Sequence, residues 1–294
     1  MQQAYNDFGA WIRRRFPFRV QKISVDAGFS CPNRDGKISR GGCTFCDNHT
    51  FNPSYCNSRK SITEQLEEGK AFFARKYPDM KYLAYFQAYS NTYAPVPRLK
   101  QLYEEALSDE DVVGIVIGTR PDCLSPEILD YLEELNRRTF VIVELGVESA
   151  NDETLLLVNR GHTFADSVNA IEAVHRRGIL VGVHIILGLP GEDREEILPL
   201  DILKLHQLQI IKGTCMARQY SEAPFHLFSV EEYIELIGGY LPLLRKDIVL
   251  ERFLSQSPGE MLLAPKWGLK NHEFVHLLNK YLEKNNICQG SKVV

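Results

Sequence analysis

The chain reads as an α/β protein built on a parallel sheet of repeated βα units, and three observations predict this. Short β-branched runs alternate with longer amphipathic segments. Several helical segments carry their own start and stop signals. No repeat, low-complexity tract or linker rich in Pro, Gly or Ser divides the 294 residues, so one domain with a C-terminal extension is the economical organisation. About six βα units are legible, too few for a closed eight-stranded barrel. The sheet is therefore an open barrel or a doubly wound one.

Taken in order, the strands fall at residues 20–25 (VQKISV), 81–88 (KYLAYFQA), 111–118 (DVVGIVIG), 139–147 (TFVIVELGV), 179–187 (ILVGVHIIL) and 208–213 (LQIIKG). Helices are expected between them at 62–77, 97–107, 126–138, 164–177 and 194–205. Ser125 before Pro126 is an N-cap followed by proline at the first helical position, and Gly178 after "HRR" is a C-terminal stop with positive charge in the last turn. In the tail, 248–253 (IVLERF) reads as one further strand and 270–285 as a closing helix.

Composition excludes several classes. Hydrophobic residues at 44% and charged residues at 24% are ordinary for a globular chain. The first residues lack an apolar signal core and the run "GILVGVHIILGLPG" is too short and interrupted to span a bilayer, so a cytoplasmic, non-membrane protein is expected. There thiols stay reduced, and seven cysteines read as metal ligands, catalytic groups or buried fillers before disulfides. A net charge of −4 offers no global attraction for nucleic acid, so such binding needs a local basic patch.

The stretch "CPNRDGKISRGGCTFC" places Cys31, Cys43 and Cys46 in the first βα loop, at the catalytic end of a parallel fold. The loop, residues 27–61, is long for a structureless connection. Gly36, Gly41 and Gly42 let its backbone turn tightly, and the two-residue gap between Cys43 and Cys46 lets both thiols face one centre. A structural zinc site is completed here by His49 or Cys56. An iron-sulfur cluster on three thiolates instead leaves one iron open to a cosubstrate. Spacing alone does not choose between them.

A series of motifs in order does favour one reading: the cysteine loop, "YFQAYSNTYAP", "IGTRPDCL", "ELGVESAN", "NRGHT", "HIILGLPGE", "IKGT" and "LLAPKW". With these the chain resembles the radical S-adenosylmethionine (SAM) enzymes, and within them the YtqA/YhcC-like branch related to the elongator catalytic subunit. The eleven residues between Cys31 and Cys43 exceed the three of the commonest radical-enzyme motif, and long first gaps characterise this branch. The resemblance implies an open, partial TIM-type barrel of about six βα units with a C-terminal extension. The expected division is an N-terminal basic-aromatic segment at 1–19, the partial barrel at 20–228 and an extension packed on it at 229–294.

It also implies a [4Fe-4S] cluster on Cys31, Cys43 and Cys46, with S-adenosyl-L-methionine on the fourth iron. One-electron reduction, by a flavodoxin- or ferredoxin-type donor, then yields a 5'-deoxyadenosyl radical that abstracts hydrogen from an unactivated carbon. Gln87, Ser90, Asn91 and Thr92 occupy the place of the methionyl-binding motif. Glu144 stands where the family reads the ribose and amino group, with pairing to a barrel arginine as its structural alternative. Glu148 replaces the glutamine common in relatives, His184 is an inward-facing polar or cosubstrate neighbour, and Gly188 admits the adenine ring to the backbone.

Candidates for substrate contact are Arg120 and Asp122 in "GTRPDCL" and Arg160 and His162 in "NRGHT", with cap or surface-pair roles as the alternative. Cys215 could donate hydrogen to a substrate radical, while Cys56, Cys123 and Cys288 show no paired spacing for a second cluster. In "WIRRRFPFRVQK", Arg13, Arg14, Arg15 and Arg19 mix with Trp11, Phe16 and Phe18, a combination suited to RNA. The expected activity is radical modification of tRNA on a wobble-uridine side chain, of the carboxymethylaminomethyl to aminomethyl type. Its rivals are a radical enzyme acting on a metabolite or protein, and a zinc-stabilised binding protein without catalysis.

Overall fold

A computed structural model describes residues 4–47, 50, 52–74, 79–191 and 200–293. The strands are β1 (Arg19–Val25), β2 (Met80–Phe86), β3 (Val112–Thr119), β4 (Phe140–Glu148), β5 (Leu180–Leu187), β6 (Ile202–Gln207), β7 (Ile210–Ile211), β8 (Val249–Arg252) and β9 (Leu262–Ala264). The helices are α1 (Phe8–Arg15), α2 (Ile62–Ala74), α3 (Val96–Leu107), α4 (Pro126–Asn136), α5 (Asp152–Leu157), α6 (Phe164–His175), α7 (Cys215–Glu222), α8 (Val230–Tyr240) and α9 (Asn271–Lys284).

Seven strands form one sheet in the order β1-β2-β3-β4-β5-β6-β8, and every neighbouring pair is parallel. Such strands are covered on both faces and must be apolar nearly throughout, as VVGIVIGT in β3 is. The helices supply the outer cover. Ser125 caps α4 through Ile128 N–H, Thr163 and Asp166 form a reciprocal box on α6, and Gly178 takes φ +67° after α6. Gly69 lets α2 lie close on β1, since a Cβ there would stand 2.4 Å from Ile23 Cγ2.

This is the open barrel expected, extended by a seventh strand from the tail. The described residues show no ladder joining β1 to β8, and the N-terminal segment occupies that gap. Asp7 bridges to Leu250 in β8, Leu250 N–H donates to the Asn6 carbonyl at 2.8 Å, and the Asp7 carboxylate caps α1 through Ala10 N–H. Trp11 and Ile12 of α1 are buried against Leu83, Val116, Ile142, Ile202 and Val249. Ile142, Ile202 and Val249 lie at the N-terminal ends of their strands, so α1 plugs the floor of the barrel.

That placement corrects the expectation of an RNA-binding patch. Trp11 is buried, and Phe16 packs edge-on against Phe140 with ring centroids 5.3 Å apart. The arginines Arg13, Arg14 and Arg15 stay exposed, but Trp11 and Phe16 serve the core at the end of the barrel remote from the catalytic face.

Two further expectations fail around residue 205. The helix expected at 194–205 lies partly outside the described residues, and its end is strand β6. The strand expected at 208–213 is reduced to the two-residue β7, paired antiparallel with β9 outside the main sheet. The sequence of β6, ILKLHQ, hides its nature because Lys204 and His206 interrupt the apolar alternation.

Candidate functional site

The C-terminal ends of the strands and the loops that follow them enclose a cavity of about 190 Å³. Cys31, Cys43 and Cys46 all line it. The loop that carries them is folded by its own backbone. Arg34 and Asp35 N–H donate to the Cys31 carbonyl at 2.8 and 3.1 Å, Gly42 N–H to the Asn33 carbonyl at 2.9 Å, and Cys46 N–H to the Cys43 carbonyl at 3.1 Å. Gly42 sits at φ +82°, and a Cβ there would lie 2.8 Å from Arg34 Nε, so both backbone and space require glycine.

The segment after α5 clamps this loop from outside. Asn159 Nδ2 donates to the Gly42 carbonyl at 2.9 Å, and Asn33 Nδ2 donates to the Asn159 carbonyl at 2.5 Å. Arg160 is buried and splits its guanidinium three ways, to Cys43 Sγ at 3.4 Å, the Gly146 carbonyl at 2.5 Å and His162 Nε2 at 2.9 Å. His162 therefore carries its ring proton on Nδ1, facing the Thr163 carbonyl at 3.1 Å. Burial, then the charge of Arg160, hold this imidazole down at about 4. It is a neutral prop for Arg160, behind the cavity rather than in its lining.

The Cys46 thiol is reluctant to ionise unaided. Burial, then the neighbouring Cys43, push the Cys46 thiol up to about 12 against the pull of Arg34 and Arg160. Among the described residues no three His, Cys, Asp or Glu side chains converge on a point that would hold one metal ion. Three thiols lining one cavity are the donor set of a cluster that leaves one iron open to a cosubstrate. Of the zinc completions, His49 lies outside the described residues, and Cys56 is buried in the apolar core with its thiol pushed up to about 12 by burial and then Asp26. Polar atoms also wait in the cavity wall: Arg120 Nη1 and His206 Nε2 are buried with no hydrogen-bond partner. The wall thus suits a polar cosubstrate beside the thiols.

The decisive comparison is with protein families. The model of the radical SAM superfamily matches residues 35–201, and that of the radical SAM C-terminal domain matches residues 200–284. The chain belongs to the radical SAM superfamily. Its members use a [4Fe-4S] cluster and S-adenosyl-L-methionine, and the chain is an enzyme of this type. It is 37% identical to YtqA of Bacillus subtilis over 298 residues, covering 98% of this chain and 92% of that protein. It is 27% identical over 188 residues to a tRNA uridine(34) acetyltransferase of Methanocaldococcus infernus, covering 60% of this chain and 34% of that protein. The solved structure of archaeal Methanocaldococcus infernus Elp3 shares the fold, with a TM-score of 0.68 at 18% identity over 92% of this chain and 64% of that one.

The other residues singled out from the radical SAM motifs divide sharply. Gln87, Ser90, Glu144, Glu148 and His184 line the cavity, as does Arg120. Asn91 does not. Its Nδ2 donates to the Gly118 carbonyl at 2.7 Å and its own carbonyl accepts from Tyr103, so it ties the second loop to β3. Thr92 likewise donates to the Cys123 carbonyl at 2.6 Å. Gly188, at φ +93°, gives room to the Phe228 ring, 2.9 Å from where its Cβ would be, and lies outside the cavity lining. Arg120 is held by Asp122 through two bonds of 2.8 Å. Cys215 is exposed at the start of α7, away from the lining.

Glu144 does pair, with two lysines and a histidine rather than an arginine. Lys22 Nζ and Lys204 Nζ stand 2.8 and 2.7 Å from its oxygens and His184 Nε2 stands 3.0 Å away. Glu251 closes the network, 2.7 Å from Lys22 and 3.2 Å from Lys204. Burial opposes ionisation of Glu144, but Lys204 and Lys22 overrule it and hold the carboxyl well below its usual range. Burial likewise pulls the Lys204 ammonium down to about 8 despite Glu144 and Glu251. Sequence reading missed Lys22, Lys204, His206, Glu251 and Arg252. Their signal was a lysine at an inward position of an apolar strand, visible at Lys22 and Lys204.

Proposed function

We propose that Cys31, Cys43 and Cys46 hold the [4Fe-4S] cluster and that the enzyme modifies the side chain of a wobble uridine in tRNA, remodelling carboxymethylaminomethyl toward aminomethyl. The observation that carries the first part is the convergence of these three thiols on one cavity at the catalytic end of the barrel. Similarity to a protein named for tRNA uridine 34 supports the second. Bound there, cluster and SAM supply a 5'-deoxyadenosyl radical for hydrogen abstraction, once a flavodoxin- or ferredoxin-type donor has provided the electron. No helix among the described residues is long and apolar enough to cross a membrane, in keeping with a cytoplasmic enzyme meeting tRNA.

The chain's own residues shape that chemistry. Arg160 and Asn33 place donors on Cys43 Sγ and so fix the sulfur's position in the wall. Gln87 and Ser90 offer polar groups beside the thiols, and Glu148 is steadied by Arg160 at 3.5 Å. Glu144, locked between lysines, fixes the orientation of His184 in the wall. The test is a nucleoside profile of tRNA from a strain lacking the gene, paired with its complemented parent. Accumulation of the carboxymethylaminomethyl nucleoside with loss of the aminomethyl form is expected, and an unchanged profile overturns the substrate assignment.

A further inference from the structure

The cavity that the cysteines line has a second polar wall, built by β6, β8 and the loop after β8. Gln207 grips Ser255 in both directions, its Nε2 donating to the carbonyl at 2.9 Å and its Oε1 accepting from the N–H at 2.8 Å. Ser257 Oγ donates to Gln209 Oε1 at 2.7 Å, and the Ser255 hydroxyl bonds His206 Nδ1. The His206 ring also stacks on His184, centroids 5.2 Å apart. These contacts fix the wall before any ligand arrives.

The charges beneath it do not balance. Lys22 and Lys204 each contact both Glu144 and Glu251, so two ammoniums and two carboxylates satisfy one another. Arg252, in register with Lys204, is the third cation. It lines the cavity, is only partly exposed, and its side chain has no hydrogen bond or ion pair among the described residues. The other cavity arginines are engaged: Arg120 by Asp122, Arg160 by Glu148, and Arg34 by the Cys46 carbonyl at 2.9 Å. Beside Arg252, His206 Nε2 is buried without a partner. Burial, then His184 and Arg252, hold this imidazole neutral. A hydroxyl hydrogen bond from Ser255 to Nδ1 leaves Nε2–H as an unsatisfied donor on a residue of the cavity wall.

An unpaired, half-desolvated guanidinium is costly unless a ligand supplies the anion. We propose that Arg252 and His206 form a carboxylate subsite for the substrate, in the cavity that the cysteines also line. One guanidinium fork with a neutral donor beside it matches the single charge and planar oxygens of a carboxylate, whereas a phosphate dianion would leave a charge unmatched. The proposal rests on the wobble-uridine reading, in which the acetate end of the carboxymethylaminomethyl group is the anion held.

The test is calorimetric binding to anaerobically reconstituted enzyme, wild type, Arg252→Gln and Arg252→Lys. The probes are 5-carboxymethylaminomethyluridine, its methyl ester, N-methylglycine and SAM. Cluster absorbance and melting temperature confirm that each variant folds and loads. The acid should bind about 10- to 100-fold tighter than the ester, the advantage should vanish in Arg252→Gln, and Arg252→Lys should retain part of it. If N-methylglycine binds in an Arg252-dependent way and the uridine binds no better, the subsite stands and the wobble-uridine reading falls. Equal binding of acid and ester, absence of any carboxylate binding, or a loss in Arg252→Gln confined to SAM each overturns the subsite.

Discussion

Replacing Glu144 by Gln would remove the charge that neutralises the two lysines inside the barrel while keeping its shape. The carboxylate is 1% exposed and accepts from Lys22, Lys204 and His184 at 2.8, 2.7 and 3.0 Å. Its loss leaves Lys204, itself 1% exposed, with Glu251 at 3.2 Å as its remaining carboxylate. Breaking one side of a buried pair costs about 3–5 kcal/mol. Unfolding entropy for a chain of this length is about 0.6 kcal/mol/K, so the melting temperature should fall by about 5–8 °C. Removing one stranded ammonium as well should recover part of the loss, so Glu144→Gln with Lys204→Met should melt above Glu144→Gln alone. Thermal unfolding by circular dichroism of the cluster-free protein reads both. A fall under about 2 °C, or a double variant no better than the single, would refute a buried, mutually neutralising network.

Other expectations follow from single contacts. Arg160→Ala strands Cys43, Gly146 and His162 at once and should destabilise by about 2–4 kcal/mol while lowering iron retention, read by urea unfolding and iron analysis. His162 in the folded chain protonates only near pH 4, against about 6.5 when unfolded. Between those values the unfolded chain binds a proton the folded chain refuses, so stability falls as pH drops below about 6.5, by up to about 3 kcal/mol near pH 4. His162→Gln should flatten that part of the stability profile. Gly69→Ala drives a methyl into Ile23 and should cost about 1–3 kcal/mol in denaturant unfolding. Charge reversal at Arg13 and Arg14 should weaken tRNA binding less than reversal at Lys37 and Arg40 of the cysteine loop, compared by filter binding across a salt series.

What the sequence made legible was local. Strands β2 to β5 announce themselves as apolar runs and β1 as an alternation, and Cys31, Cys43 and Cys46 stand out by spacing and glycines. What it hid was pairwise. Lys204 looked like a helix residue because its reason for sitting in a strand is Glu144, sixty residues away. Trp11 and Phe16 looked like a nucleic-acid platform because nothing local says that the barrel floor needs a plug. Asn91 looked like a ligand contact, yet its Nδ2 donates to the Gly118 carbonyl and the residue lies outside the cavity lining. Arg252 could be recognised as unpaired only after Lys22, Lys204, Glu144 and Glu251 had been seen to close on one another.

The most direct measurement is metal analysis of anaerobically reconstituted protein together with dithionite-driven release of 5'-deoxyadenosine, in wild type and Cys43→Ala. About four irons per chain, with SAM cleavage that disappears in the variant, is the result expected of a cluster held by these cysteines. Zinc in place of iron with no cleavage, or full cleavage in Cys43→Ala, would contradict the account.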